Sequence, residues 1–122
     1  MINLHYSLLP AFGGLIGLDP IKKAYESGCK FIGPTCHYVD EGVDTGKIIA
    51  QAIFTTEIVY EDAVKTMFQT GCLTLLNAIT QFAAEEIINE IEGSIVNIQH
   101  SPELKFEEAC FDEDFWNQIA SL

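Results

Sequence analysis

Asn3 and His5 stand at alternate positions in the stretch NLHYSLLPAFGG, which closes on Pro10 and the pair Gly13–Gly14. In an extended segment, alternate residues point to the same face, so the Asn3 amide and the His5 imidazole can both hydrogen-bond one oxygen atom. That arrangement suits an oxyanion: asparagine donates a hydrogen bond, and a protonated histidine donates one or delivers its proton. Read as a plain loop, the same residues are two solvated polar groups. A second concentration lies in HYVDEGVDTG, where His37, Asp40, Glu41 and Asp44 fall close together around Gly42 and Gly46. Three carboxylates in a turn read as a solvated acidic loop; turned inward, one of them beside a histidine raises that imidazole's pKa by opposite charge. A metal site is a poor reading, because no second close ligand pair accompanies them. Cys29, Cys36, Cys72 and Cys110 form no CxxC pair and read as buried free thiols.

These residues need a scaffold, and the composition supplies one. The chain has 122 residues, 48% apolar and 20% charged, which fits one domain with a modest core. Its net charge of −12, with only six basic residues, makes nucleic acid an improbable direct partner, since backbone binding relies on clustered Lys and Arg. No leader pattern and no apolar run of membrane-spanning length are present, so the expectation is a soluble, cytoplasmic protein without a membrane partner.

MINLH reads as a short strand entering the Pro10–Gly14 loop. Asp19 and Pro20 open a helix that Gly28 stops. CKFIGPTCHYV and KIIAQAIFT read as strands on either side of the acidic turn. From Glu61 to about Phe82 the apolar residues recur at three and four. The face Val64, Met67, Phe68, Leu75 and Ile79 is expected to pack on the sheet. EEIINEIEG continues or restarts that helix, SIVNIQ and LKFEEA read as short strands, and DEDFWNQIASL as a terminal helix. The sum is an α/β layer architecture, with strands few and short for a closed sheet.

Taken together, NLHYSLLPAFGG and TCHYVDEGVDTGKII resemble the folate-dependent formyltransferase family, with agreement in order, spacing and turn residues from Asn3 to about Gln51. The resemblance implies a Rossmann-like domain and formyl transfer from 10-formyltetrahydrofolate to an amine. Glycinamide ribonucleotide, in purine biosynthesis, is the first acceptor it suggests; an amino sugar nucleotide or methionyl-tRNA is the alternative, the latter disfavoured by the negative charge. Carried over, Asn3 binds the formyl oxygen, His5 is the general acid, and Asp44 raises the His5 pKa. His37 is a supporting histidine. The cofactor-binding set becomes Asn3, His37, Val39, Asp40, Glu41, Gly42, Val43 and Asp44, with the loop from Val39 to Asp44 offering backbone contacts to the pterin.

Three departures qualify the resemblance. Tyr6 stands where the family has proline, which is expected to loosen the turn and alter the amine pocket. Gly71 and Cys72 stand near where the glycinamide ribonucleotide enzymes carry a substrate-contacting glutamate and a histidine. The family's strands, helices and glycine-rich phosphate loop that precede the N-x-H strand have no counterpart ahead of Asn3. The expectation is therefore that residues 1–122 are the C-terminal, catalytic part of a formyltransferase domain, inactive as an isolated half. A separate chain carrying the missing N-terminal half, or self-association through an exposed sheet edge, is the expected partner. The contrasting reading is a truncated, non-catalytic association module.

Overall fold

The computed structural model describes residues 1–82, 98–106 and 111–120. Its elements run β1 (Ile2–His5), α1 (Asp19–Glu26), β2 (Phe31–Ile32), β3 (Thr35–Tyr38), β4 (Ile48–Thr55), α2 (Tyr60–Phe82), β5 (Gln99–Ser101) and α3 (Glu113–Ala120). EEIINEIEG and most of SIVNIQ lie outside the described residues. So does the latter part of LKFEEA, whose described residues Leu104–Phe106 are not a strand.

β4 is the spine of the sheet. β3 and β2 pair with one of its edges and β5 with the other, while β1 adds beyond β3. Every ladder among the described residues is antiparallel, so the parallel crossover expected of a Rossmann-like unit is not seen within them. The α/β layering itself holds. CKFIGPTCHYV, read as one strand, is two: Gly33–Pro34 interrupts it, yet β2 and β3 keep a common register against β4. Proline has no N–H to give a ladder. Gly33 comes so close to the Ala52 carbonyl that a Cβ there would collide with backbone.

β4 alternates, with Ala50, Ala52 and Phe54 buried and pointing to one face. On that face α1 and the first half of α2 pack Ile21, Ala24, Ala63 and Met67 against Ile32 and Phe54. Farther along, Ala78 and Leu75 meet Cys36, Ala50, Ile2 and Leu4. Apolar burial of this kind contributes roughly 1.5–3 kcal/mol per large side chain.

The helix expected from Glu61 is present, and its expected face packs inward in part: Met67 is buried, and Val64 and Leu75 pack against the two core clusters. Phe68 is 43% exposed and Ile79 47%. The buried stripe is Ala63, Met67, Thr70, Thr74, Asn77 and Ala78. The polar members are satisfied: the Thr74 hydroxyl donates to the Thr70 carbonyl at 2.9 Å, and Asn77 Nδ2 donates to the Pro102 carbonyl at 2.6 Å. Phe68 instead meets Trp116 of α3 edge-on, ring centres 6.1 Å apart. Phe68 thus serves a second layer, while Val64, Met67 and Leu75 join the small or paired side chains on the sheet side.

Both family departures lie on this helix side. A Cβ on Gly71 would sit 3.0 Å from Tyr6 Cε1 and 3.1 Å from Leu4 Cδ2. Tyr6 packs against the α1–α2 core cluster, and burial pushes its phenol pKa up. Tyr6, expected to bear on the amine pocket, has its ring on the helix side of the sheet against Gly71. A tyrosine ring after His5 needs a helix residue without a side chain, and the two changes fit each other.

Candidate functional site

With the helices on one face, the opposite face of the sheet is polar. β1 and β3 pair Asn3 with His37 and His5 with Thr35, and β3 and β4 pair Thr35 with Gln51. Directly opposed residues of an antiparallel pair share a face, so these five side chains form one surface.

His5, 6% exposed, and His37, 2% exposed, are buried there, while Asn3 is open to solvent. Asp44 reaches in from the acidic loop and lies between the two rings. One carboxylate oxygen is 3.4 Å from His5 Nδ1, and the other is 3.5 Å from His37 Nε2. These are ion-pair distances, long for hydrogen bonds. The remaining ring nitrogens face carbonyls: His5 Nε2 lies 3.1 Å from the Phe12 oxygen, and His37 Nδ1 lies 2.8 Å from the Tyr38 oxygen. His37 Nε2 is buried and makes no hydrogen bond, so the carboxylate meets that ring at ion-pair distance only. The Gly14 amide donates to Asp44 at 2.8 Å, fixing the carboxylate from a third side.

Among the described residues, two non-glycine residues have left-handed backbone, Phe12 at φ 57° and Asp44 at φ 56°. Such conformations cost on the order of 1–3 kcal/mol and persist where surrounding contacts enforce them. Both belong to this site. Phe12 is turned so that its carbonyl meets His5, and Asp44 so that its carboxylate meets both histidines. Gly46 closes the acidic loop against the Tyr38 carbonyl, where any Cβ would strike that oxygen.

The other residues of the acidic loop take different parts. Asp40 accepts from the Thr45 hydroxyl at 2.8 Å and from the Gly42 amide at 2.9 Å. The Thr45 bond and then the Gly42 bond hold its carboxyl below its ordinary pKa. Asp40 therefore clasps its own loop, and the Gly42 N–H expected to meet a pterin is engaged within it. Val39, Glu41 and Val43 are exposed. Among the described residues there is no group of three side chains able to hold a metal ion, and no helix long and apolar enough to cross a membrane.

Thr35, Gln51 and the loop Ser7–Gly14 went unnoticed as site components in the sequence. A signal existed for Gln51, the lone polar residue in the apolar run from Ile48 to Phe54.

Known proteins are similar to this chain over the same stretch. The family model described as formyl transferase, which covers the N-terminal domain of those proteins, matches residues 1–72. The chain is 49% identical over 69 residues to phosphoribosylglycinamide formyltransferase of Bacillus subtilis, covering 57% of this chain and 33% of that protein. It is 47% identical over 89 residues to formyltetrahydrofolate deformylase of Escherichia coli K12, covering 71% of this chain and 31% of that one. The crystal structure of phosphoribosylglycinamide formyltransferase from Campylobacter jejuni superposes with a TM-score of 0.63 at 34% identity, over 68% of this chain and 43% of that one. The chain thus spans about a third of the length of these two curated relatives. The expectation of a C-terminal portion is corrected: the matching model is that of the N-terminal domain, and the whole constellation from Asn3 to Asp44 lies within the match.

Proposed function

Because the chain belongs to the formyl transferase family, we propose that Asn3, His5 and Asp44 carry formyl transfer from 10-formyltetrahydrofolate to an amine, glycinamide ribonucleotide first among acceptors. The observation that carries this reading is the contact of Asp44 with buried His5, beside an exposed Asn3 on the same sheet face. When a nucleophilic amine adds to the formyl carbon, the formyl oxygen becomes an oxyanion. The Asn3 amide donates to it. His5 Nε2–H, which rests on the neutral Phe12 carbonyl, transfers its hydrogen bond to the charged oxygen, a stronger acceptor. Asp44 holds the ring at His5 Nδ1 while the proton lost by the attacking amine passes through His5 to the folate N10. Collapse of the oxyanion then breaks the formyl carbon–N10 bond and releases tetrahydrofolate. The surroundings fit the donor: exposed Val39, Val43 and Ile48 offer apolar surface beside the polar face, with Ile48 opposite His37 on β4.

A second reading is hydrolysis, in which water takes the amine's place and formate leaves. The deformylase likeness covers more of the chain than the transferase likeness, 71% against 57%. Both chemistries use the same oxyanion and the same three residues. Incubation with 10-formyltetrahydrofolate, with and without glycinamide ribonucleotide, separates them. Formylated amine formed only with the acceptor supports transfer. Formate released regardless of acceptor supports hydrolysis. Transfer or hydrolysis undiminished in His5→Ala defeats both.

A further inference from the structure

The geometry points to Thr35 and Gln51 as positioning residues that act on His5 and Asp44 through the Ser7–Gly14 loop, a role resting on the formyl-transfer reading above. Thr35 is fully buried at the centre of the polar face, and its hydroxyl is used completely. It donates to the Ser7 carbonyl at 2.7 Å and accepts from the Leu9 amide at 3.1 Å and from Gln51 Nε2 at 2.8 Å. Gln51 Nε2 also lies 3.4 Å from the Leu9 carbonyl. One hydroxyl on β3 therefore holds two backbone groups of the loop, and β4 braces it from behind.

From that anchor the loop runs through short links to the chemistry. The Ser7 hydroxyl donates to the Ala11 carbonyl, and the Ala11 amide donates to the Leu8 carbonyl. The next residue, Phe12, meets His5 Nε2 with its carbonyl, and Gly14 gives its amide to Asp44. Neither Thr35 nor Gln51 has a hydrogen bond to His5 or Asp44 in this arrangement. Both catalytic groups nevertheless lean on backbone atoms whose place those two side chains fix. Buried polar networks of this kind hold one geometry when every member is satisfied. A β-branched residue of the same shape without the hydroxyl leaves the strand in place and removes the anchor.

The test uses the full chain without substrate, so that it reads the loop and not the formyl chemistry. In nitrogen-edited proton NMR, the His5 Nε2–H signal reports contact with the Phe12 carbonyl through its exchange with water. Thr35→Val and Gln51→Met are expected to speed that exchange by about tenfold or more, since losing the anchor lets the loop open locally. Thr35→Ser, which restores the hydroxyl, is expected to return the wild-type rate. The amide protons of β4 and α2 are expected to keep their protection in all three, which a general loss of structure would not allow. A folded Thr35→Val protein whose His5 signal exchanges at the wild-type rate overturns the proposal. Should Thr35→Val fail to fold, Gln51→Met decides, and wild-type exchange there overturns it equally. Failure of formyl transfer in any form of the protein leaves these readings unaffected.

Discussion

At the scale of single residues, the site turns on Asp44, whose left-handed backbone points one carboxylate at two buried imidazoles. Aspartate and asparagine both tolerate this conformation, so Asp44→Asn keeps the loop shape and removes the charge. We expect it to fold with a melting temperature close to wild type and to lose about 10²–10⁴-fold in formyl transfer or hydrolysis, the range general acid–base groups contribute. Steady-state kinetics beside a thermal melt checks this, and full activity in a folded Asp44→Asn protein removes the carboxylate from the mechanism. The types and alternate spacing of Asn3 and His5 made them legible, and the family resemblance alone singled out Asp44 among three carboxylates. The sequence did not reveal that the Phe12 carbonyl and the Gly14 amide complete the site. Backbone groups have no identity in a sequence, and only the loop's conformation aims them.

At the scale of elements, periodicity located α2 to within a residue and placed Val64, Met67 and Leu75 inward as they are found, but not Phe68 and Ile79. The rule that large apolar residues face the core assigned Phe68 and Ile79 inward. The sheet, however, carries Ala50 and Ala52 opposite the helix, and Gly71 lies against Tyr6 and Leu4. Such close approach leaves room for alanine and threonine, whose hydroxyl can bond its own helix, and Phe68 turns outward to α3. Met67 is the fully buried member of the larger side chains that pack inward with Val64 and Leu75. Met67→Ala is expected to cost about 2–5 kcal/mol in urea unfolding, and Phe68→Ala distinctly less. The reverse order would restore the face expected from sequence. β5 adds a pH dependence. Burial lowers the His100 pKa from 6.5 to about 4. Between those values the unfolded chain binds a proton that the folded chain does not, so stability falls as pH drops from about 6.5 toward 4. The difference in melting temperature between wild type and His100→Gln should change in that window alone, to the disadvantage of wild type. A constant difference from pH 7 to pH 4 would show that His100 titrates alike in both states.

At the scale of the whole molecule, the family centre and the acceptor problem separate. Everything that can stabilise the oxyanion comes from β1, β3 and the two loops, all inside the part matched by the formyl transferase model. The chain has six Lys and Arg against 18 Asp and Glu, few cations for an acceptor's phosphate. β1 pairs only with β3 among the described residues, leaving its other edge without a strand. An edge of this kind invites another strand, and we propose that a partner strand there helps complete the amine site. The cost of lacking it is large, because holding both reactants in an attack geometry accounts for roughly 7–11 kcal/mol of a barrier. The purified 122-residue chain is therefore expected to turn over slowly at best. Adding the part of a relative that precedes the matching strand should raise the rate, and His5→Ala in the mixture should lower it again by about 10²–10⁴-fold. Full turnover by the chain alone would show that it holds its acceptor unaided. A rate that rises with the added part but ignores His5→Ala would place the catalytic groups in that part instead, and leave this chain as its scaffold.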